Sequence, residues 1–249
     1  MKHSRWLAVL FGLIIVAALA ALRSSDGFIA HTVRNLTFDR FQQLAPRKKI
    51  SQPVRVIDID ETSLAKIGQF PWPRTEFAKL VDELNKLGAA AIVFDVLFSE
   101  PDRLSPKNLL KREDLKKWLG GASSDNPAGR LRDNDKVFAA SVAKAPVIMA
   151  FASNRDGSPE NPASKSGFAF TGNATLKALP DTGNITHLLP ELEKAATGIG
   201  SMSISPDGSQ ETIREYPLLW SHNGKVFPSL AMEALRVAQG ASTFIIRGG

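Results

Sequence analysis

Residues 74–98 constrain the fold more than any other stretch. Phe77, Leu80, Val81, Leu84 and Leu87 recur at three- and four-residue steps, which lays an apolar face along one helix. Gly88 stops that helix. "AAAIVFDVLF" (89–98) comes directly after it, interrupted by a single charge, and reads as a fully buried strand. Upstream, "VRVIDID" (54–60) is rich in Val and Ile with no breaker inside it, so it reads as a strand as well. Strand, helix and buried strand in succession predict a βαβ unit with parallel strands and a right-handed crossover.

The other elements follow from local signals. "ETSLAKIG" (61–68) predicts one or two helical turns, capped by Asp60 and ended by Gly68. "QFPWP" cannot be helical, because a residue before proline is pushed toward extended geometry. "FDRFQQLAPRKK" predicts a helix ending near Pro46, and "DNDKVFAASVAKA" a helix broken by Pro146. "VIMAFA" (147–152) reads as a third strand, and 153–190 as a loop-rich cover. Pro-Asp-Gly in "IGSMSISPDGS" and Asn-Gly in "REYPLLWSHNGKVFPSL" are hairpin signals. A helix opened by Pro228 and ended by Gly240 precedes a last strand, "STFIIR". The fold class expected is α/β: a mixed sheet with a parallel βαβ core and an antiparallel hairpin region, preceded by one N-terminal transmembrane helix.

That membrane helix is read from Trp6–Leu22, seventeen residues without a charge, spanning about 25 Å as a helix. Lys2 and Arg5 precede it and Arg23 comes after it, a bias that favours a cytoplasmic N-terminus. A cleaved signal peptide is the alternative, and both readings export the rest of the chain. The division expected is a cytoplasmic tip and membrane helix (1–23), a juxtamembrane segment (24–53) and an extracytoplasmic domain (54–249). Net charge is +6 with the basic residues scattered, the densest runs being Arg47-Lys48-Lys49 and the stretch from Arg103 to Lys117. With one Tyr in the chain, an aromatic-lined nucleic-acid groove has little to build from. A solvated helix face accounts for these basic residues, and of the two binding uses a lipid surface suits them better. The absence of cysteine excludes disulfides, thiolate zinc sites and iron–sulfur clusters.

The candidate site is acidic. Side chains alternate along a strand, so Asp58 and Asp60 share a face, and Asp95 ends the buried part of the neighbouring strand. If those strands are adjacent and parallel, Asp60 and Asp95 meet at their carboxyl ends, where open α/β sheets bind ligands. Asp58, Asp60, Glu61, Trp72, Arg74 and Asp95 form the candidate ligand-binding set. Three readings stay open. The carboxylates contact a ligand; or they hold Mg²⁺ or Ca²⁺ in a membrane-anchored metal-dependent enzyme; or they are structural, with Asp60 a helix cap, Asp58 paired to an Arg such as Arg74, and Trp72 an aromatic plug. The four histidines show no metal-ligand spacing, and no nucleophile elbow, P-loop or dinucleotide fingerprint occurs. No catalytic residue, metal ligand or cofactor is assigned.

"VRVIDIDETSLAKIGQFPWPR", "LGAAAIVFDVLFSEPDRLSP", "DNDKVFAASVAKAPVIMAFA" and "FPSLAMEALRVAQGASTFIIRGG" together resemble the second type of CHASE domain, the cyclases/histidine kinases-associated sensory extracellular domain. The likeness runs from about residue 36 to the end. It implies a sensor outside the membrane, succeeded in its family by membrane helices and a cytoplasmic effector, often an adenylate or guanylate cyclase and sometimes a kinase. Family members continue past the "FIIRGG" position with further strands, so the sequence reads as an N-terminal portion ending inside the sensor. The implied partners are membrane lipid, an unknown small-molecule or periplasmic ligand, and a second copy in a homodimer. No ligand residues are carried over from the family.

Overall fold

The computed structural model describes residues 6, 10–17, 20, 21, 28–48, 53–110, 112, 114, 132–173, 179–204 and 213–248. The chain divides into two compact units, Met1–Asp58 and Ile59–Gly249.

In the first unit, residues 10–17 are helical and α1 spans Phe28–Leu44, ending just before Pro46 as the sequence predicts. The N-terminal transmembrane helix does not stand. Among the described residues no helix is long and apolar enough to cross a membrane. Residues 1–5, 7–9, 18, 19 and 22–27, which the expected span and its flanks include, lie outside the described residues. The expected strand 54–60 is also corrected. These residues are extended but carry no ladder, and Val54, Val56 and Ile57 are 68%, 88% and 57% exposed. A Val/Ile pattern states a preference; only a partner makes a strand.

The second unit opens with α2 (Glu61–Ile67), whose N-cap is Asp60 and whose C-cap is Gly68. α3 (Arg74–Lys86) is next, burying Phe77, Ala78 and Val81, and Gly88 beyond it takes a left-handed φ of 78° that suits glycine. Leu87, expected on the apolar face, lies past the helix and is exposed. The ten-residue strand predicted for 89–98 shortens to β1 (Ile92–Val93), although Phe94 and Phe98 remain buried. After α4 (Pro106–Leu109) and α5 (Asn134–Val142) comes β2 (Val147–Ser158), twice the length foreseen. The basic stretch beyond Leu110 and the loop at 120–129 lie largely outside the described residues.

β2 organises the sheet. Its first half pairs in parallel with β1 on one side and with β5 (Gly198–Ser201) on the other. Its second half pairs antiparallel with β4 (Ile185–Thr186) through an irregular register. The sheet is therefore mixed, with its parallel unit between β1 and β2 and not between 54–60 and 89–98. β3 (Gly167–Gly172) crosses the region read as loop and pairs in parallel with β8 (Thr243–Gly248). α6 (Pro190–Ala195) precedes β5, which pairs in parallel with β2; the Pro-Asp-Gly turn of the hairpin expected in 199–209 lies outside the described residues. β6 (Leu219–His222) and β7 (Lys225–Pro228) form the predicted Asn-Gly hairpin, with φ of 45° at Asn223 and 71° at Gly224, as a type I′ turn requires. α7 (Leu230–Ala238), capped by Ser229, completes the elements. Phe77, Phe94, Phe98, Phe138, Met149, Phe151 and Leu192 are among the residues of the main core.

Candidate functional site

The Pro-Trp-Pro-Arg turn leads into the interior. Trp72 is buried, donates from Nε1 to the Gly68 oxygen at 2.6 Å, and packs near Phe70 and Phe77. Pro73 occupies the N-cap of α3 and offers no side-chain acceptor. The need of a helix start for acceptors is met instead from the loop before α4: Asp102 Oδ2 accepts the Arg74 amide at 2.9 Å. The same oxygen accepts Asn134 Nδ2 at 2.8 Å, and Oδ1 accepts the Leu104 amide at 2.8 Å. Three donors thus hold a buried carboxylate.

A second carboxylate lies against the first. Asp135, in the first turn of α5 and 2% exposed, accepts the Asp102 amide on both oxygens at 2.9 and 3.2 Å. Its cation is Arg74, whose Nε stands 3.6 Å from Oδ1, an ion pair too long for a hydrogen bond. Nε has no hydrogen-bond partner. Arg74 also places its guanidinium 4.3 Å from the Phe98 ring centroid and donates to the Glu100 oxygen at 3.3 Å. Burial pushes the Asp135 carboxyl above its ordinary range, with the Asp102 amide and Arg74 opposing. Burial likewise lowers Arg74, with Asp135 and Asp102 opposing. At the rim, Lys107 donates to Asp133 at 3.0 Å; burial would raise Asp133, but the Lys107 bond and charge outweigh it and leave it lowered. Ser105 Oγ accepts the Asn134 amide at 3.0 Å.

The arrangement is a charged latch joining α3, the 99–105 loop and the start of α5. Its chemistry is positional: each carboxylate is committed to donors. Of the six sequence-derived site residues, Trp72 and Arg74 belong to this interior. Asp60 caps α2, accepting from the Ser63 amide and hydroxyl at 2.8 and 2.7 Å, and the hydroxyl bond first, then the amide bond, hold its carboxyl below the usual range. Glu61 lies exposed in the first turn of α2, and Asp95 lies exposed beyond β1. Asp58 is exposed in the N-terminal unit. Among the described residues no group of three or more His, Cys, Asp or Glu is placed to hold a metal ion. Asp102 and Asp135 escaped the sequence reading; the Asp/Asn run "DND" before an apolar helix marked a helix start that holds Asp135 in its first turn, while nothing local marked Asp102.

With this geometry in hand, the comparison with known families is decisive: the CHASE2 domain model matches residues 13–247. The chain belongs to the CHASE2 family. CHASE2 is an extracellular sensory domain of signalling receptors. No curated protein and no solved structure gives a significant match. The blocks that carried the resemblance are the ones that meet in this CHASE2 domain: the Pro-Trp-Pro-Arg turn, "SEPD" and "DND" supply Arg74, Asp102 and Asp135 to one latch.

Proposed function

We propose that this CHASE2 domain is the extracytoplasmic ligand-sensing part of a bacterial transmembrane receptor in the inner membrane, with a nucleotide cyclase as its effector. The observation that carries the reading is the family match over nearly the whole chain. The latch supports it physically. A sensor must shift between states that a ligand binds unequally, and a buried charge network spanning three segments defines one such state sharply. The proposed ligand contacts are solvent-facing carboxylates of the folded unit, either Asp60 and Glu61 at the start of α2 or Asp95 beyond β1, since no strand pairing joins the two; Trp72 and Arg74 hold the turn that follows α2. Such acceptors suit a small molecule bearing ammonium or hydroxyl groups. Homodimerisation would give the two effector copies a common input.

Two measurements test this. Alkaline phosphatase fused after Gly249 is expected to be active in intact cells; an inactive fusion beside a fluorescent GFP fusion at the same position overturns the extracytoplasmic assignment. A thermal-shift screen of polar metabolites is expected to return a compound that raises the unfolding temperature with concentration, and either D95N or E61Q should weaken that shift.

A further inference from the structure

The two segments that meet at the latch alternate acid with base: Asp102-Arg103 in one, and Arg132-Asp133-Asn134-Asp135-Lys136 in the other. Folding sorts those charges. Asp102 and Asp135 turn inward and are 5% and 2% exposed, and Asp133 is taken by Lys107 at 3.0 Å. Arg103, Arg132 and Lys136 stay exposed. Among the described residues their side chains have no hydrogen bond or ion pair. Ser105 ties the two segments together: its amide donates to the Asp102 oxygen at 3.0 Å, and its hydroxyl donates to the Arg132 oxygen at 3.3 Å. Leu104, next to Arg103, is 38% exposed. Glu100 is the exposed carboxylate of the same loop.

The partner that answers this rim is anionic, since its unpaired cations outnumber its exposed carboxylate. Two features favour a lipid surface over a soluble anion. A free phosphate or carboxylate is held by donors that converge on it in fixed geometry, whereas these cations are solvent-facing side chains from two segments. An anionic bilayer needs no pocket, because each basic residue near its surface adds its own attraction. The second feature is Leu104. An apolar side chain among basic ones can enter the headgroup region while the cations stay level with the phosphates.

We propose that Arg103, Arg132 and Lys136, with Leu104 among them, form a docking surface for anionic phospholipid headgroups, and that docking braces the latch. The brace follows from connectivity. Arg103 and Lys136 are the sequence neighbours of Asp102 and Asp135, so fixing them on a surface restrains the two carboxylates that hold the start of α3 to α5. Lipid binding stands on the rim itself; that the outer leaflet is the one it meets rests on the extracytoplasmic reading.

The chain has no cysteine, so L104C carrying a polarity-sensitive dye is a single-site reporter in the full chain. Leu104 meets Asp102 through its backbone amide, which the substitution keeps. Vesicles of phosphatidylcholine and phosphatidylglycerol in equal parts should shift the dye emission to the blue, and added salt should weaken the effect. Vesicles of phosphatidylcholine alone should leave it unchanged. In the labelled chain, R103Q/R132Q/K136Q should weaken binding about a hundredfold, at about fivefold per residue. K66Q/K144Q/K225Q removes as many exposed charges elsewhere and should bind like the labelled parent. The amide of Arg74, which donates to Asp102, should gain exchange protection on the anionic vesicles only. Equal shifts on both vesicle types, a site variant that binds like the parent, or a control that weakens as much overturns the docking surface. A shift produced by inorganic phosphate without vesicles also overturns it, assigning the rim to a soluble anion. Unchanged Arg74 protection overturns the brace. If the triple variant does not fold, R132Q decides, with a loss of about fivefold expected. Vesicle binding by a chain whose alkaline phosphatase fusion is inactive would uphold the docking surface and remove the outer leaflet, so the two failures are distinguishable.

Discussion

Replacing Arg74 by Met should be among the most damaging single changes at the latch. Methionine approximates the stem of arginine but removes both the cation opposite Asp135 and the guanidinium over the Phe98 ring. That leaves a carboxylate only 2% exposed with the Asp102 amide and no counter-charge. Removing one partner of a buried ion pair costs about 3–5 kcal/mol. The 3.6 Å separation argues for the lower end, and the lost contact at 4.3 Å from the Phe98 centroid adds about 1 kcal/mol. A loss of about 4 kcal/mol is therefore expected, a large share of the roughly 5–15 kcal/mol typical of a domain. Urea unfolding followed by tryptophan fluorescence measures it, since Trp72 sits two residues away. The double variant R74M/D135N supplies the decisive comparison. The asparagine side chain keeps an acceptor for the Asp102 amide but carries no charge, so the double variant should regain at least half of the loss. A cost below about 1 kcal/mol, the scale of an exposed ion pair, or a double variant no more stable than R74M, would refute the latch argument.

Other expectations are as direct. The folded state raises Asp135 above its ordinary range, so in the window just above that range the folded chain holds more protons than the unfolded one, and this group's contribution falls as pH rises; urea midpoints of wild type minus D135N should decrease with pH there. Gly200→Ala would place a Cβ 2.7 Å from Leu230 Cα and 2.8 Å from its nitrogen, backbone atoms that cannot swing aside, so a loss of about 1–3 kcal/mol is expected by thermal or urea unfolding. Asp60→Ala removes the α2 cap; because α2 has no buried residue, the amide of Ser63 should lose exchange protection while the global unfolding midpoint barely moves.

Local grammar carried much of the fold. The Asp60 cap, the Gly68 and Gly88 stops, the apolar face of α3, the Asn-Gly hairpin and α7 are each written within a dozen residues, where capping, periodicity and turn chemistry act. What failed was long-range. Residues 54–60 have the composition of a strand, but β1 takes its partner from β2, and the expected meeting of Asp60 with Asp95 falls with the strand pairing that required it. Arg74 was legible as a cation needing a carboxylate. That the partner is Asp135, and that Asp102 caps α3 from 28 positions away, depends on the 99–105 loop folding back, which no local pattern encodes. β3 pairs with β8 across more than seventy residues, so it looked like loop.

β2 is unusual in changing the polarity of its neighbours along its own length. Mechanically it is a tie-rod. Tension along it loads the β5 contacts in shear, with four register pairs resisting together, while the ladder to β4, whose register is interrupted between Ser153 and Ser158, is the compliant end. A displacement entering at Ser158 would be absorbed there before it reached Val147. The fold thus places its soft joint at the end of β2 that leads directly to Pro159 and Glu160, and its stiff joint next to the aromatic core.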